Sequence, residues 1–164
     1  MSTFVSSVFG NREEAELAVD RLIANGCDRS DISILMSDGT RGRDFHMEQN
    51  TKAPEGAATG GVIGGTLGAL VAGLVGVGTV ATGGAGIVAA GPIVAALAGG
   101  GAGAATGGLI GGLIGAGMPE HEAKVNSERL EKGDILVGVD AHDDRVSKIE
   151  DILSNAGGTG IKTD

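Results

Sequence analysis

The spacing of apolar and polar positions changes character along this chain. Residues 3–9 (Thr-Phe-Val-Ser-Ser-Val-Phe) are rich in β-branched and aromatic side chains and predict a short strand. From Arg12 the period becomes helical: Ala15, Ala18, Val19, Leu22 and Ile23 form one apolar face. Asn11 is placed to cap that helix, with Glu13, Glu14 and Glu16 in its first turn, where the dipole favours negative charge. Asn25-Gly26 stops it, and Asp31–Met36 (Asp-Ile-Ser-Ile-Leu-Met) predicts a second strand. The helical crossover between the two strands predicts that they run parallel.

The C-terminal end shows the same grammar. Glu120–Lys132 reads as a charged helix ended by Gly133, with a thin apolar face of Ala123 and Leu130. Such a face predicts weak packing, or continuation of whatever helix precedes it. Asp134–Asp140 is the clearest strand. His142–Asn155 is a helix with Val146, Ile149 and Leu153 inward, stopped by Gly157-Gly158, and Gly160–Thr163 is a short last strand. Shifted by 131 positions, Val5 meets Leu136, Val8 meets Val139, Asn11 meets His142, Ala15 meets Val146, Leu22 meets Leu153 and Gly26 meets Gly157. Strand, helix, glycine stop: one unit occurs twice. Two such units commonly pair as a ferredoxin-like split β-α-β sandwich.

Between the two units lies a stretch, Gly56 to Pro119, with no charged residue. Glycine recurs in it every fourth position. Four residues advance a helix by nearly one turn, so these glycines share a face. A smooth glycine face lets a second backbone come close, as small-xxx-small helices do in lipid. The candidate helix–helix contact residues are Gly60, Gly64, Gly68, Gly76, Gly99, Gly103, Gly107, Gly111 and Gly115. The expected form is an antiparallel helical hairpin: helix over 57–81, connector over 82–91, and a second helix from Pro92 to Gly117. Segment 56–117 holds 23 glycines. At about 0.8–1 kcal/mol each against Ala, a fully helical segment costs on the order of 20 kcal/mol. Lipid, where the backbone must bond internally, or dense helix packing has to offset that. Residues 57–81 are long enough to cross a hydrocarbon core of roughly 30 Å. Two other readings stand beside the hairpin: a flexible low-complexity linker, and a strand-forming segment built on alternating Gly and Val.

The predicted class is therefore α+β: a ferredoxin-like split β-α-β sandwich head interrupted by a long Gly/Ala-rich α-helical hairpin. Residues 1–37 form the first half of the head and 38–55 a polar connection. Residues 56–118 form the glycine-zipper hairpin. Residues 119–164 form the second half of the head, as helix, strand, helix and short strand.

Composition narrows the function. The chain has 164 residues, no Trp or Tyr and three Phe, so the interfacial aromatics of an ordinary membrane protein are missing. A net charge of −9 disfavours nucleic acid as a partner. Arg41, Arg43 and Lys52 could meet lipid phosphates, but they are mixed with Asp44, Glu48 and Glu55, as in a solvated loop. Cys27 is alone, which excludes an internal disulfide and favours a structural thiol. The first residues lack a basic region and a long apolar run, so no signal peptide is expected. A cytoplasmic location follows, with inner-membrane association left open by the hairpin. His46, His121 and His142 are the histidines; His121-Glu122 and His142-Asp143-Asp144 offer metal ligands, but no spacing matches a closed zinc site. Gly-x-Gly pairs are frequent, yet none has the strand, turn, helix and Lys context of a phosphate loop. No nucleophile–base pair is present, so neither catalysis nor a cofactor is expected.

Phe4-Val-Ser-Ser-Val-Phe9, Glu14–Leu22, Asp31-Ile-Ser-Ile-Leu35 and the returning Gly133-Asp-Ile-Leu-Val-Gly-Val139 together resemble the bacterial general stress protein 17M-like family, also called heat-induced stress proteins. The resemblance implies a non-enzymatic stress-related role. With the glycine pattern, the expected function is a self-associating structural protein that forms homo-oligomers through glycine-zipper helices. It would be membrane-inserted or a closed assembly. The alternative is a soluble small-ligand or metal-binding module with a hydrophobic hairpin anchor.

Overall fold

The computed structural model describes residues 2–37, 39–40, 79–82, 85–90, 102–115 and 117–163. In chain order the elements are β1 (Ser2–Phe9), α1 (Arg12–Ala24), a 3-10 turn (Arg29–Asp31), β2 (Ile32–Ser37), β3 (Thr79–Thr82), β4 (Ala85–Ala90), α2 (Ala102–Gly115), α3 (Glu120–Lys132), β5 (Ile135–His142), a second 3-10 turn (Asp143–Arg145), α4 (Val146–Asn155) and β6 (Thr159–Thr163). This is mixed helix and strand, as the periodicity predicts.

The strands form one antiparallel sheet in the order β3-β4-β2-β5-β1-β6. The fifth strand is central. It pairs with β1 from Ser2↔His142 to Phe9↔Ile135 and with β2 from Ile32↔Val139 to Leu35↔Leu136. So β1 and β2 do run in the same direction, as the crossover requires, but β5 lies between them and they never touch as a pair.

Local chemistry accounts for the helix ends. The Glu14 amide donates to Asn11 Oδ1 at 2.9 Å, closing the start of α1. Gly26, Gly117, Gly133 and Gly157 all take positive φ after their helices, a left-handed turn in which a Cβ would clash. Behind Gly117 the Met118 amide bonds the Leu113 carbonyl at 3.0 Å, which ends α2 firmly and makes α3 a separate helix.

Helices cover both faces of the sheet. On one face α1 and α4 bury Ala15, Ala18, Val19, Leu22, Ile149 and Leu153 against Val5, Phe9, Ile32, Ile34, Ile135, Val137 and Val139. On the other, α2 and α3 bury Leu109, Leu113, Met118, Ala123 and Leu130 against Phe4, Val8, Leu35 and Leu136. The thin face of α3 thus packs fully: Asn126 and Ser127 are buried beside its two apolar positions, and Asn126 Nδ2 donates to Met118 Sδ at 3.2 Å.

These faces correct the repeat. Its helical part holds, because Ala18 and Ile149, and Leu22 and Leu153, share one layer. Its strand part is out of phase. Val5 faces α1 and α4 whereas Leu136 faces α2 and α3; Val8 and Val139 are likewise opposed. Strand side chains alternate with period two, so a one-residue slip reverses the face. The 3-10 turn Asp143–Arg145, in place of the Gly10-Asn11 entry to α1, absorbs the difference. His142 is accordingly the end of a strand and makes no side-chain cap.

The glycine-rich segment differs from the expected hairpin where it is described. Thr79–Thr82 is a strand where a helix was expected to reach 81, and Ala85–Ala90 is a strand inside the expected connector. They pair from Thr79↔Val88 to Thr82↔Ala85, with Gly83-Gly84 between them in sequence. Thr79, Val80, Ile87 and Val88 are β-branched, and two glycines are what a two-residue hairpin loop wants. The second predicted helix appears as α2, over 102–115. Most of the remaining helical expectation, 57–78 and 92–101, lies outside the described residues. Among the described residues no helix is long and apolar enough to cross a membrane. The fourteen residues of α2 extend about 21 Å at 1.5 Å each. The chain leaving β2 is tied to the turn between α3 and β5: Thr40 Oγ1 donates to the Gly133 carbonyl at 3.0 Å, and the Ser37 and Thr40 hydroxyls bond each other at 2.9 Å.

Candidate functional site

Of the nine glycines singled out by spacing, Gly60, Gly64, Gly68, Gly76 and Gly99 lie outside the described residues. Gly103, Gly107, Gly111 and Gly115 lie on α2. The helix turns Leu109, Gly112 and Leu113 inward. Gly111 is half-buried, Gly115 is exposed, and Ile114 between them is 42% exposed. At 100° per residue the row Gly103–Gly107–Gly111–Gly115 runs down the side of α2 opposite Leu109 and Leu113. At Gly111 and Gly115 the glycine face is therefore not what packs α2 onto α3. Val125, on α3, is 44% exposed.

A second region was not legible beforehand. A cleft of about 140 Å³ opens where the end of α1, the end of β5 and the start of α4 meet. Asp31, Asp140, His142 and Arg145 line it, with Cys27, Val139, Ala141 and Ile149. Arg145 is the strut of this corner. Its Nη2 donates to the Asn25 carbonyl at 3.0 Å and reaches Cys27 Sγ at 3.6 Å. It thereby caps the C-terminal end of α1, where a cation is favoured by the dipole. Cys27 is only 6% exposed. Burial pushes its thiol up, and the Arg145 guanidinium offsets this only in part. That is the environment of a packed thiol and not of a reactive one, as the sequence suggested. Asp140 is also raised, first by burial and then by the carboxylate of Asp31. The two approach because β2 and β5 pair: Asp31 ends the 3-10 turn just before Ile32, whose partner Val139 precedes Asp140. They are more than a hundred positions apart, so only the pairing of the strands reveals them.

The metal reading gains nothing here. His121 and His142 are exposed on different elements, His46 lies outside the described residues, and no group of three or more His, Cys, Asp or Glu among the described residues is placed to hold an ion.

The architecture defines a class: an antiparallel α+β head whose chain is interrupted between β2 and α3 by an uncharged glycine-rich insertion. Residues 5–85 match the family model described as Heat induced stress protein YflT domain. That match supports the heat-induced stress protein family for this segment of the chain. No curated protein and no solved structure matches the chain. The matched segment carries β1, α1, β2 and β3, whereas the central strand β5 comes from beyond it.

Proposed function

We propose that the chain is a non-enzymatic, self-associating stress protein that acts in the cytoplasm. Its four strands β2-β5-β1-β6, with α1 and α4 on one face, we read as a ferredoxin-like split β-α-β sandwich serving as a rigid head. Copies join through the glycine faces of their helices, in a closed assembly or at a membrane surface. One observation carries the reading: α2 satisfies the core with Leu109 and Leu113 and keeps Gly111 and Gly115, with Ile114, on its other side. Gly112 turns inward with the leucines, whereas Gly111 and Gly115 do not serve the approach of α2 to its own core. The stress-related role comes from the family.

The test is the double change Gly111→Leu with Gly115→Leu. Neither residue faces the core, and each replacement favours helix by roughly 0.8 kcal/mol, so the head should melt no lower than before. The mass in solution, measured by sedimentation velocity, should fall to that of the single chain. An oligomer of unchanged mass sinks the reading. Flotation of the native protein on a lipid gradient separates the two settings: it floats if the association occurs in a bilayer and stays dense if the assembly is closed.

A further inference from the structure

The end of α1 carries the one Asn-Gly pair of the chain, Asn25-Gly26, and both residues are exposed. Such a pair is reactive in itself. The Gly26 nitrogen follows directly on the residue that bears the side-chain amide, and with no Cβ on glycine little hinders its approach. The fold holds every group that would take part. Gly26 takes φ +83°; its amide donates to the Ile23 carbonyl at 2.9 Å, and the Cys27 amide donates to the Leu22 carbonyl at 3.0 Å. That is the paired bonding of a left-handed helix stop. Asn25 Nδ2 donates to the Arg21 carbonyl at 2.8 Å. From the far end of the chain, Arg145 Nη2 donates to the Asn25 carbonyl at 3.0 Å. The attacking nitrogen, the side-chain amide and the carbonyl between them are all engaged, and a ψ of 11° keeps Asn25 in the turn that ring closure must unwind.

We propose that Asn25 is a covalent modification site, a deamidation site gated by Arg145. When the cap opens, the Gly26 nitrogen gives up its proton and attacks Asn25 Cγ. The Cγ–Nδ2 bond breaks, and the amide nitrogen leaves as ammonia with a proton equivalent to the one released. A cyclic imide remains. Water then opens it at either carbonyl. Opening at Cγ gives aspartate, and opening at the main-chain carbonyl gives isoaspartate, whose backbone is longer by a methylene. No oxidant or reductant takes part. Either product places a carboxylate at the C-terminal end of α1, where the dipole disfavours it, and removes the Nδ2 donor from the Arg21 carbonyl. The stop therefore does not reclose as it was. Helix ends open locally at far lower cost than global unfolding, so the folded protein reaches the reactive state. Asn126 and Asn155 precede Ser127 and Ala156, whose side chains crowd the attacking nitrogen, and Asn126 is buried as well.

The proposal does not depend on self-association and is tested on the full chain. The protein is held at mildly alkaline pH below its melting temperature, and peptides spanning Asn25, Asn126 and Asn155 are followed by mass spectrometry. Parallel samples carry Arg145→Met or Arg145→Lys, or are unfolded in urea. Asn25 should be modified ahead of Asn126 and Asn155. Its rate should be lowest in the folded parent, highest in urea, and at least about tenfold above the parent in Arg145→Met, the effect of losing a hydrogen bond to a charged group. Arg145→Lys, which keeps charge and stem, should fall between. Hydrogen exchange of β1 and β5 checks that each variant is folded. The proposal is overturned if the folded parent reacts as fast as the unfolded chain, if another asparagine leads, if Asn25 stays unmodified in urea, or if neither folded variant outpaces the parent.

Discussion

The two faces of the sheet are filled by different kinds of side chain. The α1/α4 layer packs Ala15, Ala18, Val19, Leu22, Ile149 and Leu153 on the Ile and Val side chains of the strands and on Phe9, with no buried polar side chain in the cluster. The α2/α3 layer relies on two leucines of α2, on Ala123 and Leu130, and on buried Asn126 and Ser127. Six of the fourteen residues of α2 are glycine, which costs on the order of 5 kcal/mol of helix propensity against Ala. A helix so weak in itself exists only while its leucines are docked. The lesson is that burial alone does not rank the layers: Leu113 and Leu153 are both fully buried, yet they hold elements of unequal intrinsic stability.

Leu153→Ala should have the largest global effect, lowering unfolding free energy by about 3–4 kcal/mol in chemical denaturation. Leu113→Ala should instead act locally. Hydrogen exchange of residues 109–115 should rise toward the open limit while α1 and α4 keep most of their protection. Equal loss of protection across both layers would mean that the comparison is wrong.

Smaller and on the α2/α3 side is Gly138→Ala. A Cβ there would stand 2.2 Å from Phe4 Cζ, so the aromatic ring lies over a strand position that has no side chain. The added methyl should destabilise by about 1–3 kcal/mol, and Phe4→Leu in the same chain should recover part of that. A melt unchanged by Gly138→Ala would show that the ring has room to move.

The smallest effect is expected at the end of the ladder. Asp140 is raised above the ordinary aspartate range, so the fold favours its protonated form. The stability linked to this group is complete below the ordinary range and is lost as pH rises through the raised value. Asp140→Asn should therefore stabilise the protein near neutrality by roughly 0.2–1 kcal/mol, the range of cross-strand pairs. The advantage should shrink to nothing as the solution is acidified. A variant less stable than the parent near neutrality contradicts the assignment.

Much of the head could be read in the sequence because period and punctuation agree there. Asn11 caps, Gly26, Gly133 and Gly157 stop, and Leu22 and Leu153 mark the inward stripe. The strand phase was misread because β-branched runs such as Ile135–Val139 are apolar at consecutive positions and do not announce a face. Glycine spacing pointed to helices over 57–81 and 92–117 with an irregular connector over 82–91. It failed at Thr79–Thr82 and Ala85–Ala90, where β-branched residues and a neighbouring strand decide the backbone instead. The cleft was invisible for another reason: each of its charged residues is ordinary alone, and only the pairing of β2 with β5 brings Asp31 to Asp140.

The central position of β5 also bears on how the protein is made. During synthesis β1 and β2 leave the ribosome early, but the strand that joins them follows about a hundred residues later, some 5–20 s at usual elongation rates. For that interval both strands offer bare edges and apolar side chains to whatever is nearby, and after a short polar connection the charge-free stretch emerges. Nascent chains on one message therefore meet first through their least soluble parts, so molecular chaperones that shield such segments should decide how much protein reaches its final form.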